Sequence, residues 1–329
     1  MSARGLTGGA SPLTMPGEAQ AGGATRRGSA NTMGEILVGT CSWTEPTLIQ
    51  SGRFYPETAR SAESRLRYYA SQFPIVEVDS SYYALPGERT SRLWVERTSQ
   101  SFVFDVKAFR LFTQHPTPLS ALPKDVSERL PAASKEKISV YERAVPEDLL
   151  ADLWGRFEQA LLPLDSAGKL GVVLFQFPPW FHAGRQQRDY ILSCRARLPQ
   201  YRVAVEFRHG SWLNEANREH TLGFLRHNDM AFVCVDEPQG FESSMPPIVE
   251  ATSDIALVRF HGRNRETWQK KGITAAERFN YLYSEDELKA WGQKVRQLSS
   301  QARQVHVLFN NCYGDKAVVN ARQIKLMLD

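Results

Sequence analysis

The chain has 329 residues, 42% of them hydrophobic and 23% charged, with a net charge of +4. That is ordinary for a globular protein and long enough to bury a core without disulfide or metal staples. Arg4, Arg26 and Arg27 against Glu18 account for +2 of the charge, so the rest of the chain is close to neutral. This argues against holding long nucleic acid by bulk charge and leaves only a local basic pocket open.

No run of about 18 apolar residues predicts a membrane span. Cys41, Cys194, Cys234 and Cys312 form no CxxC pair, which suggests neither a zinc knuckle nor a disulfide framework. Reduced thiols in a cytoplasmic protein are the plain reading. Residues 1–33 are rich in Gly, Ala, Ser, Thr and Pro and lack the apolar stretch of a secretory signal. They predict a disordered tail, with residues 34–329 as one domain.

Eight short runs rich in Val, Ile and Phe follow, each reading as a buried strand. They are EILVGTCSW (35–43), IVEVDSSYY (75–83), FVFDVKAF (102–109), LGVVLFQF (170–177), RVAVEFRH (202–209), AFVCVDE (231–237), IALVRFHG (255–262) and QVHVLFNN (304–311). Helical stripes lie between most of them. Residues 58–73 align Leu66, Tyr69 and Phe73; residues 147–162 align Leu149, Leu150, Leu153, Trp154, Phe157 and Leu161 after Pro146. Ser284 and Glu287 form a capping box ahead of Leu288, Trp291, Val295 and Leu298, and a last helix spans 315–328.

Alternating strands and helices predict parallel pairing with right-handed crossovers, and eight repeats predict closure into a single (β/α)8 barrel. An open doubly wound sheet is disfavoured because no glycine-rich phosphate turn follows the first strand. The pattern breaks in a long Pro-containing insertion at 110–146 after strand three, and in 238–254, which shows no clear helix. A further loop, 263–283, carries Trp268, Tyr281 and Tyr283.

Polar side chains inside these strands cost roughly 1–3 kcal/mol each unless partnered. Period-two alternation puts Glu206 with Arg208, Arg259 with His261, Glu77 with Asp79, Asp105 with Lys107, and His306 with Asn310 on shared faces. Asp236 and Gln176 complete the set. In a closed barrel the strand-end members converge on one mouth. Glu206, His261 and Asp79 are then candidate acid/base groups. Lys107, Arg208, Arg259 and Arg263 are candidate anion ligands, with Asn264, Asn310, Asn311 and Gln176 to orient a substrate.

Tyr82, Tyr83, Trp43, Trp180 and Trp212 follow strand ends, where they stack on a sugar or base or pack under loops. Glu77 and Asp105, nearer the strand middles, read equally as structural cross-braces. His306, early in its strand, reads as a satisfied core histidine. Glu77, Asp79, Glu206, Asp236, His209 and His261 supply oxygen and nitrogen donors for a divalent metal, although no HExxH-like motif supports one.

Several segments resemble the DUF72, or YecE-like, family. These are GTCSW (39–43), FYP (54–56), VEVDSSYYALP (76–86), FVFDVKAF, LGVVLFQFPPWF (170–181) and VEFRHGSW (205–212). VRFHGRN (258–264), NYLYSEDEL (280–288) and FNNCYGDKAVVNA (309–321) complete the match over about 36–328. The resemblance implies a TIM-barrel fold and no established reaction. Two departures stand out. The first strand turn reads Cys41-Ser42-Trp43 where Ser-Gly-Trp is usual, and the 110–146 insertion is longer than typical.

The leading expectation is an enzyme, a hydrolase or isomerase, taking a small phosphate- or carboxylate-bearing ligand at the mouth. A metal-dependent phosphodiesterase or DNA-repair-type nuclease on the same barrel is the second reading, and a non-catalytic binding module the third.

Overall fold

A computed structural model describes residues 33–329; the tail expected at 1–33 lies outside the described residues except for Met33. The eight apolar runs form eight strands: β1 (Glu35–Cys41), β2 (Ile75–Val78), β3 (Val103–Lys107), β4 (Leu170–Gln176), β5 (Val203–Glu206), β6 (Met230–Asp236), β7 (Ile255–Phe260) and β8 (Gln304–Phe309). Every neighbouring pair is parallel, each strand pairs with the next in sequence, and β8 returns to β1 to close the barrel. All of these strands but β6, which is shifted one residue towards the N-terminus, are shorter than their apolar runs. Backbone beyond β2, for instance, turns at once into a four-residue helix, Ser80–Tyr83.

Among the described residues seven outer helices cover the barrel: α1 (Ala62–Gln72), α2 (Glu88–Glu96), α3 (Glu147–Ser166), α4 (Arg185–Arg197), α5 (Arg218–His227), α6 (Glu285–Ser299) and α7 (Lys316–Leu328). Their apolar stripes face the sheet, as Leu153, Phe157 and Leu161 of α3 do. The capping box is formed: the Ser284 side chain accepts from the Glu287 N–H, and Glu287 accepts from the Ser284 N–H. Residues 238–254 cross from β6 to β7 with no helix.

The insertion after β3 is ordered by short pieces. A 3-10 turn at Arg110–Thr113 precedes a two-residue antiparallel ladder between Thr117–Pro118 and Ser139–Val140, which brackets the helices Lys124–Arg129 and Ala132–Lys135. The loop after β7 carries a one-turn helix, Ala275–Arg278, which a Thr274–Glu277 capping box starts and whose Ala275 and Ala276 line the cavity at the mouth. Among the described residues no helix is long and apolar enough to cross a membrane.

Candidate functional site

Inward-facing polar residues are stacked in tiers along the barrel axis. Lowest lies the Asp105–His306 pair, both fully buried, with His306 Nδ1 2.8 Å from Asp105 Oδ2 and Nε2 2.9 Å from Gln304 Oε1. Asp105 also accepts from the Val172 N–H at 3.0 Å. Gly171 makes room for this pair, because a Cβ there would fall 2.3 Å from Asp105 Oδ1. Every strong polar group in the tier is satisfied, so His306 is the core histidine the sequence suggested.

Above it, Arg259 spans the barrel. It grips Glu77 with two parallel bonds, Nε to Oε2 at 2.8 Å and Nη2 to Oε1 at 2.7 Å, and donates through Nη1 to Glu206. Arg259, Glu77 and Glu206 are all completely buried. The fork that was expected to clamp a ligand is therefore filled by protein carboxylates, a bidentate geometry that holds guanidinium strongly. Glu206 further accepts from Gln176 Nε2 at 2.8 Å, His261 Nε2 at 3.0 Å and Arg208 Nη1 at 3.1 Å. Burial alone would raise its pKa, but Arg259, His261 and Arg208 together hold it well below the ordinary carboxylate value. An ionised Glu206 accepts only, so Nε2 of His261 carries the proton between them. Burial pushes His261 down to about 3 against the pull of Glu206. The imidazole is thus neutral at neutral pH, with Nδ1 left to accept from Asn310 Nδ2 at 3.0 Å.

The top tier opens to a cavity of about 310 Å³ lined by Asp79, Lys107, Gln176, Asn310, Cys41, Cys312 and the loop residues Ala275, Ala276 and Phe279. Lys107 Nζ donates to Asp79 Oδ1 at 2.8 Å and sits 4.5 Å over the Tyr82 ring. Burial alone would lower its pKa, but Asp79 and Glu77 hold it above the usual lysine range, so it stays charged. Arg110, the first insertion residue, also lies over Tyr82, at 5.2 Å, and its buried Nε has no hydrogen-bond partner among the described residues. Arg208 lies 4.9 Å over Trp268 and shares a single nitrogen, Nη1, between Glu206 and Glu237 at 3.1 and 3.3 Å. Burial, then the charges of Lys107, Arg110 and Arg208, push His115 down to about 3, so the ring is neutral at neutral pH; it lies edge-on to Tyr82, with the ring centroids 5.3 Å apart.

Other expected site residues are not brought to the mouth. Asp236 faces outward, where it accepts from Arg263 Nε at 2.8 Å, Arg263 Nη2 at 2.6 Å, Tyr283 OH at 2.8 Å and the Trp291 indole N–H of α6. Arg263 is spent on Asp236 and, at 2.9 Å, on Glu287. Asn264 and Asn311 bond the backbone carbonyls of Asn280 and Tyr281. Trp43 packs edge-on to Trp94 and Phe104 outside the barrel. His209 caps its own turn through the Ser211 N–H and stacks on His182. The donors considered for a metal are therefore dispersed, and among the described residues no three His, Cys, Asp or Glu side chains gather as a metal site. Burial and nearby carboxylates raise the Cys41 and Cys312 thiols well above their ordinary value, so both stay protonated.

A family profile described as protein of unknown function DUF72 matches residues 37–329. This chain belongs to the DUF72 family. It is 34% identical to the UPF0759 protein YunF of Bacillus subtilis, over 89% of this chain and 95% of that protein. A crystal structure of a DUF72 family protein from Thermotoga maritima is 32% identical and superposes with a TM-score of 0.70, covering 89% of this chain and 99% of that one. One from Enterococcus faecalis, 26% identical, gives 0.70 over 89% and 95%.

The departure at the first DUF72 turn has a structural reading. Ser42, where the resemblance led to the expectation of glycine, adopts φ 77°, a left-handed conformation that favours glycine. Its hydroxyl accepts from the Thr44 N–H at 3.1 Å, a partial compensation. Sequence reasoning missed Glu237, Arg110 and His115. Glu237 is inward-facing and buried; its Oε1 accepts from the Met245 N–H at 2.8 Å, while Oε2 has no hydrogen bond among the described residues. Burial pushes it up to about 7, with Arg208 pulling the other way.

Proposed function

We propose that this DUF72 protein is an enzyme that takes a small or terminal phosphate- or carboxylate-bearing substrate at the C-terminal mouth of its barrel. One observation carries the reading: Lys107 and Arg110 lie over the Tyr82 ring beside His115, Arg208 stands at the end of β5, and among the described residues all three keep N–H groups that no carboxylate accepts. Cations with spare donors in a partly desolvated mouth recognise oxyanions strongly.

The tier below supports the same reading. Glu206, Arg259, Glu77 and His261 satisfy one another and form a rigid charged floor, so their role is to hold Arg208, Gln176 and Asn310 in place. This moves the acid/base work from Glu206 and His261 to the carboxyls beside the free donors. Asp79 lines the cavity next to Lys107, and Glu237 adjoins Arg208 with a proton affinity near neutrality. Hydrolysis and isomerisation both use such a pair.

Calorimetric titration with inorganic phosphate tests the binding half. Lys107→Met and Arg208→Gln are each expected to weaken phosphate by about tenfold or more, the usual loss of a charge-assisted bond. Unchanged affinity in both variants overturns the reading. The catalytic half is tested on a panel of phosphomonoesters and carboxylates: Asp79→Asn is expected to retain phosphate binding and lose turnover. Binding without turnover of any panel member by the wild type favours the binding-module reading instead.

A further inference from the structure

Beside the mouth, where the insertion meets the turn after β4, lies a second cavity of about 740 Å³. Its walls include Gln114 and Tyr141 of the insertion, Trp180 after β4 and Gln186 of α4. That volume is more than a small oxyanion fills and falls in the range of organic ligand sites. Trp180 is 54% exposed and Tyr141 40% exposed. Aromatic faces left open to water in one cleft mark a contact surface, since packing them away would be favourable.

The cleft is joined to the cations of the mouth by a strip of rings. Lys107 and Arg110 lie over Tyr82; the Tyr82 and His115 rings are 5.3 Å apart; the His115 and Trp180 rings are 5.8 Å apart. His115 is one ring from Lys107 and Arg110, which share Tyr82, and is itself in contact with the open indole. An anion held beside His115 is therefore within a short covalent link of the Trp180 face.

We propose that this cleft is a subsite for a ring-shaped body carried by the anionic ligand. The inference rests on the anion reading of the mouth. It names the substrate class: a phosphate or carboxylate joined by a short link to a flat heterocycle or a sugar ring. Both kinds of ring present an apolar face that stacks on indole. Gln114 and Gln186 supply amide donors and acceptors for the polar edge of the ring, and Arg143, 5.6 Å over Tyr141, steadies the far wall.

The test compares three probes by calorimetry: inorganic phosphate, a nucleoside monophosphate and a hexose phosphate. At least one ring-bearing probe is expected to bind about tenfold or more tightly than inorganic phosphate, the scale of one stacking contact. The probe that gains identifies the ring. That gain is expected to vanish in Trp180→Ala and return in Trp180→Phe, with inorganic phosphate affinity unchanged in both. Ring-bearing probes no tighter than inorganic phosphate, or a gain that survives Trp180→Ala, overturn the subsite while leaving the mouth intact. Failure of all three probes to bind overturns the anion reading and the subsite with it.

Discussion

Glu237 offers the sharpest perturbation, because its carboxyl is buried without full satisfaction. It is 2% exposed, has one backbone donor on Oε1, and meets only a shared Arg208 nitrogen at Oε2. Its pKa rises from an ordinary 4.5 to about 7, chiefly through burial. A carboxyl raised on folding stabilises the fold fully below about pH 4.5. That contribution is lost as pH rises through about 7. At about 1.4 kcal/mol per pH unit the loss is about 3 kcal/mol.

Glu237→Gln keeps an acceptor for the Met245 N–H and cannot ionise. Its amide N–H₂ facing Arg208 costs about 1 kcal/mol at every pH. Urea unfolding of both proteins between pH 4.5 and 8 reads the difference. The variant is expected to be slightly the less stable at pH 4.5. Its stability relative to wild type should then climb by about 3 kcal/mol by pH 8. His115 and His261, both held down to about 3, destabilise both proteins as pH falls below 6.5 and so cancel in the difference. A difference that stays flat across the range would refute the argument that burial controls this carboxyl.

Three further outcomes test other parts of the structure, each by the urea midpoint. Arg259→Met strips the buried Glu77 and Glu206 of their shared cation and is expected to cost about 3–5 kcal/mol; a smaller loss would mean that water reaches the floor. Gly171→Ala sets a Cβ 2.3 Å from Asp105 Oδ1 and 2.9 Å from His306 Cε1, and is expected to cost about 1–3 kcal/mol through overpacking. Ser42→Gly relieves the φ of 77° and is expected to gain about 1 kcal/mol, less the exposed Thr44 bond; a lowered midpoint counts against strain there.

The barrel was legible because each strand is a dense apolar run and most helices carry a one-sided stripe. Period two also located Glu206, Arg259 and His261 correctly, since polar residues two apart in an apolar strand have only one face to share. It failed in AFVCVDE. Both faces of β6 are apolar, so alternation has no phase, and the outward Asp236 was chosen over the inward Glu237. Parity with Arg259 would have found it: Val235 pairs with Arg259 across the sheet, so the inward series runs Val233, Val235, Glu237. Arg110 and His115 lie beyond a strand end, where periodicity says nothing and the insertion's own turns decide their direction. Asn264, Asn311 and Arg263 were misplaced for the same reason.

The placement of charge divides the barrel interior into two kinds of site. In the floor, each buried ion is met by an opposite ion or several donors, and such networks lose stability when one member is removed. Two of its members resist change in protonation for the same reason: Glu206 is held well below the ordinary carboxylate range and Arg259 well above that of arginine, whereas burial raises Glu77 despite Arg259. At the mouth the balance is incomplete. Among the described residues Arg110 has a buried donor without an acceptor, Glu237 has a buried oxygen without a hydrogen-bond donor, and Arg208 divides one nitrogen between two carboxylates. On the proposed function, an oxyanion arriving at Arg208 would draw the guanidinium away from Glu237, so that a carboxyl already near its midpoint would take up a proton at neutral pH. Phosphate titrations at pH 7 in buffers of different ionisation enthalpy should therefore show about as much more proton uptake in the wild type than in Glu237→Gln as this carboxyl takes up, the ionisation of phosphate itself being common to both. Equal uptake in the two would place the proton elsewhere and break the proposed link between anion binding and the acid that serves it.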